Sequence, residues 1–132
     1  IDGAIKYVGS KARIGTIGWC LGGGWSLQAT LAAAKQGVAC VMYYGMPEKD
    51  MERIKNLNAP VLFVFASQDQ WINKSVLEEF QKTMSDAKKS LAVKTYDADH
   101  AFANPSNPKF NKEFDDDAHK GAIEFFKSNL MK

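Results

Sequence analysis

The apolar positions of this chain fall into two kinds of run, continuous and periodic, and the two kinds alternate. "ARIGTIGW" (Ala12 to Trp19), "VACVMYYG" (Val38 to Gly45) and "APVLFVFAS" (Ala59 to Ser67) are short and rich in apolar, often β-branched or aromatic residues. Such runs suit strands of a parallel sheet covered on both faces. "LAVKTYDA" (Leu91 to Ala98) only half alternates and predicts an edge strand. Ile1, Ala4, Ile5 and Val8 recur at helical spacing, so the chain opens on or inside a helix. Leu27, Leu31 and Ala34 line one face of a helix from Gly22 to about Gln36, with Gly37 as its expected C-cap. A short helical stretch spans about Glu48 to Asn56. Val76, Leu77, Phe80 and Met84 mark a helix capped by Asn73 or Ser75 and running to about Ala87. A last helix, from about Glu113 to Met131, carries Ala118, Ala122, Phe125, Phe126 and Leu130 on one stripe.

Strand followed by helix, four times over, predicts an α/β fold with a parallel sheet and right-handed crossovers. The 132 residues amount to a single domain, without repeat, low-complexity tract or linker. The composition, 45% hydrophobic and 24% charged, is that of an ordinary globular protein. Seventeen basic and fifteen acidic residues interleave to a net charge of +2, which argues against a nucleic-acid partner. No apolar run approaches the roughly 20 residues of a membrane span, so no membrane partner is expected and a cytoplasmic location is the default. Cys40 sits within an apolar run and reads as a small buried hydrophobe, so no disulfide with Cys20 is expected.

Function in such sheets collects at the C-terminal ends of the strands. Here the first strand runs into Gly18-Trp19-Cys20-Leu21-Gly22-Gly23, the third into Ser67-Gln68-Asp69 and the fourth into Asp99-His100. A thiol, a carboxylate and an imidazole thus gather on one sheet edge, in the chain order of α/β-hydrolase triads. A nucleophile held on a sharp strand-to-helix turn is strained, and side chains two residues either side, at Gly18 and Gly22, would collide. The unpaired N–H groups at the start of the following helix favour a thiolate, and the Leu21 N–H is the expected oxyanion donor. Asp97 and Asp99 are rivals to Asp69 for the histidine. Gly22-Gly23-Gly24 lacks both G-x-G-x-x-G and a following Lys-Ser/Thr pair, so a phosphate-binding turn is not indicated. His119 and the Asp115 to Asp117 run belong to the surface and first turn of the last helix, without a metal site. Trp25 is expected to pack its helix, and Trp71 to serve either packing or a pocket wall.

These motifs resemble those of the dienelactone hydrolases, cysteine-nucleophile members of the α/β-hydrolase superfamily. "GWCLGGG" resembles the family's nucleophile elbow, "YYG" (Tyr43 to Gly45) its second-strand ending, "PVLFVFASQDQWI" its acid turn and "YDADHAFAN" its histidine loop. The resemblance implies an α/β-hydrolase fold in its C-terminal half, with Cys20 as nucleophile, His100 as general base and then acid, and Asp69 orienting the imidazole. Tyr44 and Trp71 match pocket-lining positions. The implied reaction is hydrolysis of a small ester or lactone through an acyl-thioester, and it needs no metal or organic cofactor. An arginine that holds the substrate carboxylate in the family is matched here by Asn104, a neutral amide that cannot make a bidentate ion pair. The family's first strands, with a second oxyanion N–H, an arginine and a glutamate, have no counterpart in this chain. Its nucleophile strand is then expected to expose an edge that pairs with a second chain or with the missing half. The rival expectation is an inactive half-domain serving as an interaction or structural unit.

Overall fold

All four expected strands form, and a computed structural model describing Ile1 to Lys132 sets them parallel in one sheet. The strands are β1 (Ile14–Trp19), β2 (Gly37–Tyr43), β3 (Val61–Ala66) and β4 (Leu91–Tyr96), in the order β1-β2-β3-β4. The continuous apolar runs occupy the centre: every residue of β3 is buried, and all but one of β2. β4 lies at one edge, as its half-alternating pattern predicts.

The helices are α1 (Asp2–Val8), α2 (Leu21–Ala33), α3 (Met51–Ile54), α4 (Lys74–Asp86) and α5 (Lys112–Leu130). Alternate residues of each strand serve opposite faces, so the sheet divides two cores. Cys40, Met42 and Phe63 pack with Leu27 of α2, Ile54 of α3 and Phe80 and Met84 of α4. Val41, Tyr43 and Val64 pack on the other side with Phe102 and with Ala118 and Ala122 of α5. Small residues at 118 and 122 let α5 sit close to the sheet. No helix is long and apolar enough to cross a membrane. Both cysteines are free thiols.

Asn73, not Ser75, caps α4: its side chain accepts from the Val76 amide. Gly37 caps the 3-10 turn that ends the helical segment, its amide bonding back to the Ala34 carbonyl, and not α2 itself. It has extended geometry and begins β2, and the left-handed residue falls earlier, at Ala34, whose amide bonds back to Leu31. A three-residue 3-10 turn, Ala34–Gln36, then feeds the chain straight into the strand.

β1 is the other edge and pairs only with β2. Ile17 and Trp19 point to the α5 side and stay exposed, since α5 is centred over β2. On its α2 side, β1 is held by hydroxyls. Thr16 Oγ1 lies 2.6 Å from Thr30 Oγ1 and donates to the Ser26 carbonyl at 3.0 Å, and Ser26 Oγ reaches Thr16 at 2.8 Å.

Candidate active site

Cys20 stands between the end of β1 and the start of α2 with φ 54° and ψ −124°, a conformation that non-glycine residues rarely adopt. Gly18 makes this turn feasible, because a Cβ there would overlap the Gly22 carbonyl. Gly22 itself has open space around its Cα, so the expected collision is one-sided. A Cβ on Gly23 would stand 2.7 Å from the Tyr43 carbonyl oxygen, which lets the first turn of α2 press against the end of β2. The Cys20 amide donates to that same carbonyl at 3.1 Å. Leu21, first residue of α2, has a backbone N–H that donates to nothing within the chain, as helix geometry dictates. Its side chain is exposed and lines the same cleft as Cys20.

The end of β3 supplies Asp69, 3% exposed, with both carboxylate oxygens in use. Oδ1 accepts from the amides of Trp71 and Ile72 at 2.8 and 3.0 Å. Oδ2 lies 2.6 Å from His100 Nδ1 on the loop after β4. With a carboxylate as its partner, Nδ1 carries the proton and Nε2 is left as the basic nitrogen. The two rival carboxylates are engaged elsewhere: Asp97 accepts from Ser67 and Gln68, and Asp99 faces Lys109 at 3.7 Å. His119 is exposed on α5.

Cys20 and His100 line one cleft of about 610 Å³. Tyr44, Trp71 and Trp25 form much of its apolar wall. The imidazole is held between two rings, with centroids 5.0 Å from Tyr44 and 5.2 Å from Trp71. Trp25 is 57% exposed and lines the cleft instead of packing its helix. Its position two residues before Leu27, nearly opposite the buried face of α2, is the signal that marks it. Asn104 is exposed and spends its side-chain oxygen on the Ser106 amide. Lys49 is the one lysine or arginine of the lining; beside it Glu48 is neutralised by Arg53 and bonded by Gln28.

Burial, and then the negative charge of Asp69, push the Cys20 thiol above its ordinary pKa. No group of three or more His, Cys, Asp or Glu side chains is placed to hold a metal ion. A thiol, an imidazole with an oriented proton and a free amide at a helix start are the parts acyl transfer requires.

A parallel sheet whose first strand ends in a strained cysteine turn, followed by a helix, defines an α/β-hydrolase-like fold. The chain belongs to the dienelactone hydrolase family, whose model matches residues 3–130. It is 31% identical over 115 residues to the carboxymethylenebutenolidase of Pseudomonas sp. (strain P51), covering 86% of this chain and 47% of that protein. It is 33% identical over 137 residues to the carboxymethylenebutenolidase homolog of Xenopus tropicalis, covering 95% and 53%. Among solved structures it resembles the "Putative Dienelactone Hydrolase from Klebsiella pneumoniae subsp. pneumoniae MGH 78578", with a TM-score of 0.79 and 25% identity. That match covers 95% of this chain and 57% of the other. The chain spans about half the length of the curated relatives it matches.

Proposed function

We propose that this chain carries the nucleophile and the acid–base pair of a carboxylic ester or lactone hydrolase. His100 Nε2 takes the thiol proton of Cys20 as the sulfur attacks the substrate carbonyl. The Leu21 N–H receives the oxyanion. His100 then returns its proton to the departing alkoxide, leaving an acyl-thioester. Water enters, gives a proton to His100 and attacks the thioester; collapse releases the acid and restores the thiol. Asp69 holds the imidazole in the required tautomer throughout. Tyr44 and Trp71 fix the ring between them and wall the substrate pocket.

The observation that carries this reading is the 2.6 Å contact between a fully buried Asp69 carboxylate and His100, in a cleft shared with Cys20. Most of the lining is apolar or aromatic, and Asn104 stands outside it, which favours a small ester or lactone over a substrate held by a paired arginine. Burial of the thiol fits the same scheme: a neutral sulfur at rest needs the imidazole to ionise it.

Hydrolysis of p-nitrophenyl acetate by the purified chain tests the proposal. Activity is expected to vanish with Cys20→Ala and with alkylation of Cys20. Equal turnover by the Cys20→Ala variant would overturn it.

A further inference from the structure

One stripe of α2 belongs to the cleft. Leu21, Gly24, Trp25 and Gln28, spaced i, i+3, i+4 and i+7, all line the cavity that holds Cys20. This is the face opposite Gly23, Ser26, Leu27 and Thr30, which the helix buries. Leu21 and Trp25 stand one turn apart and both are exposed. Gln28 lies about 10 Å along the helix axis from Leu21. Packing of α2 on the sheet does not call for a tryptophan on its far side. Large apolar side chains grouped at a cleft mark a surface that something else covers.

The opposite wall and the far end are equally defined. A Cβ on Gly24 would stand 2.8 Å from the Met46 carbonyl oxygen, so the loop after β2 comes directly against the helix. That loop brings Met46, also exposed, into the same cleft. At the far end Gln28 Nε2 donates to Glu48 Oε2 at 3.0 Å, and Arg53 bonds both side chains, at 2.6 and 2.7 Å. Lys49 faces Glu79 at 4.0 Å. Charge there is paired within the protein, so the groove offers an occupant apolar surface and no free counter-ion.

The chemistry gives this groove a direction. The reacting carbonyl sits between the Cys20 sulfur and the Leu21 N–H, at the start of the stripe. The leaving alkoxide must face His100, whose ring packs on Trp71 and not on α2. The acyl chain is then the part that runs along the helix.

We infer that the α2 stripe is an acyl groove, in which Trp25 selects uncharged, apolar acyl chains of medium length over acetyl. The inference rests on the hydrolase reading and names its substrate class. An acetyl group ends beside Leu21. A hexanoyl chain on the sulfur reaches the indole one turn, about 6 Å, further on. Each methylene it takes out of water favours binding by up to about fourfold.

The test compares alkylation of Cys20 by iodoacetamide and by N-hexyl iodoacetamide, with the Cys20 peptide quantified by mass spectrometry. Each rate is divided by that of the same reagent with N-acetylcysteine, and the ratio of the two is taken within each protein. The wild-type chain is expected to favour the hexyl reagent about tenfold. Trp25→Ala is expected to cut this preference to about threefold or less, and Trp25→Phe to keep most of it. Trp25 is exposed, so neither substitution opens the core. A preference absent from the wild type, or unmoved by Trp25→Ala, overturns the inference. Alkylation needs no ester, so the two readings fail separately. In a chain that hydrolyses p-nitrophenyl acetate, a missing preference defeats the acyl groove alone. A Trp25-dependent preference in a chain that cleaves no ester defeats only the hydrolase reading.

Discussion

Gly18 and Gly22, placed symmetrically about Cys20, are not equivalent: a Cβ on Gly18 would overlap the Gly22 carbonyl, whereas one on Gly22 would meet open space. Gly18→Ala must push backbone against backbone, which no rotamer change relieves. It is expected to cost at least about 3 kcal/mol and to displace Cys20. Gly22→Ala lies inside α2, where alanine is the better helix former, and is expected to leave stability within about 1 kcal/mol of wild type, on the favourable side. Urea unfolding of the two variants checks the contrast.

Asp69→Asn separates the two jobs of this carboxylate. The amide oxygen can still accept from Trp71 and Ile72, so the turn after β3 is expected to survive. The side-chain NH₂ placed at Oδ2 cannot accept from His100 Nδ1–H, and the imidazole loses its tautomer and orientation. Ester hydrolysis is expected to fall about a thousandfold with an unchanged far-ultraviolet circular dichroism spectrum.

Alkaline pH is expected to destabilise the fold. Burial, and then Asp115, push Tyr43 up to about 12. Burial also raises Tyr44 and Tyr96, and the thiols of Cys20 and Cys40. Unfolded thiols and phenols ionise near about 8.5 and 10. Below those values both states keep their protons and stability is complete. Above them the unfolded chain releases protons that the native chain retains, so stability falls until the native groups titrate, near about 12 for Tyr43. Urea midpoints should hold steady near neutrality and decline progressively above about pH 9.

The open edge of β1 is expected to make the chain self-associate. Its unpaired backbone groups lie beside exposed Ile17 and Trp19, the arrangement that recruits another strand. Sedimentation velocity should show concentration-dependent assembly. Ile17→Lys, which puts a charge on that strand, should weaken it. A stable monomer at high concentration would count against pairing through this edge.

What the sequence made legible was periodic or continuous: the four strands, the stripes of α4 and α5, and a thiol, a carboxylate and an imidazole in order along one sheet edge. What it left open was decided by contacts between distant segments. Asp69, Asp97 and Asp99 are equivalent as letters; only the partners of the latter two, Gln68 and Lys109 among them, single out the carboxylate that faces His100. The end of α2 depended on how the chain enters β2: a positive-φ Ala34 closes the α-helix, and Gly37 caps the 3-10 turn that follows. Tyr44 read as a pocket wall, because its positive φ and its packing against His100 cannot be seen in a string of residue types.

The hydroxyl seam of Thr16, Ser26 and Thr30 has a mechanical meaning for the cleft. It rivets β1 to α2, so the sulfur of Cys20 and the amide of Leu21 ride on one rigid plate. Asp69 and His100 ride on another, built from the loops beyond β3 and β4. β2 is the only strand between the plates, and β1 has no neighbour on its outer side to brace it. Within the sheet, the placement of the sulfur relative to the imidazole therefore passes through β2 alone.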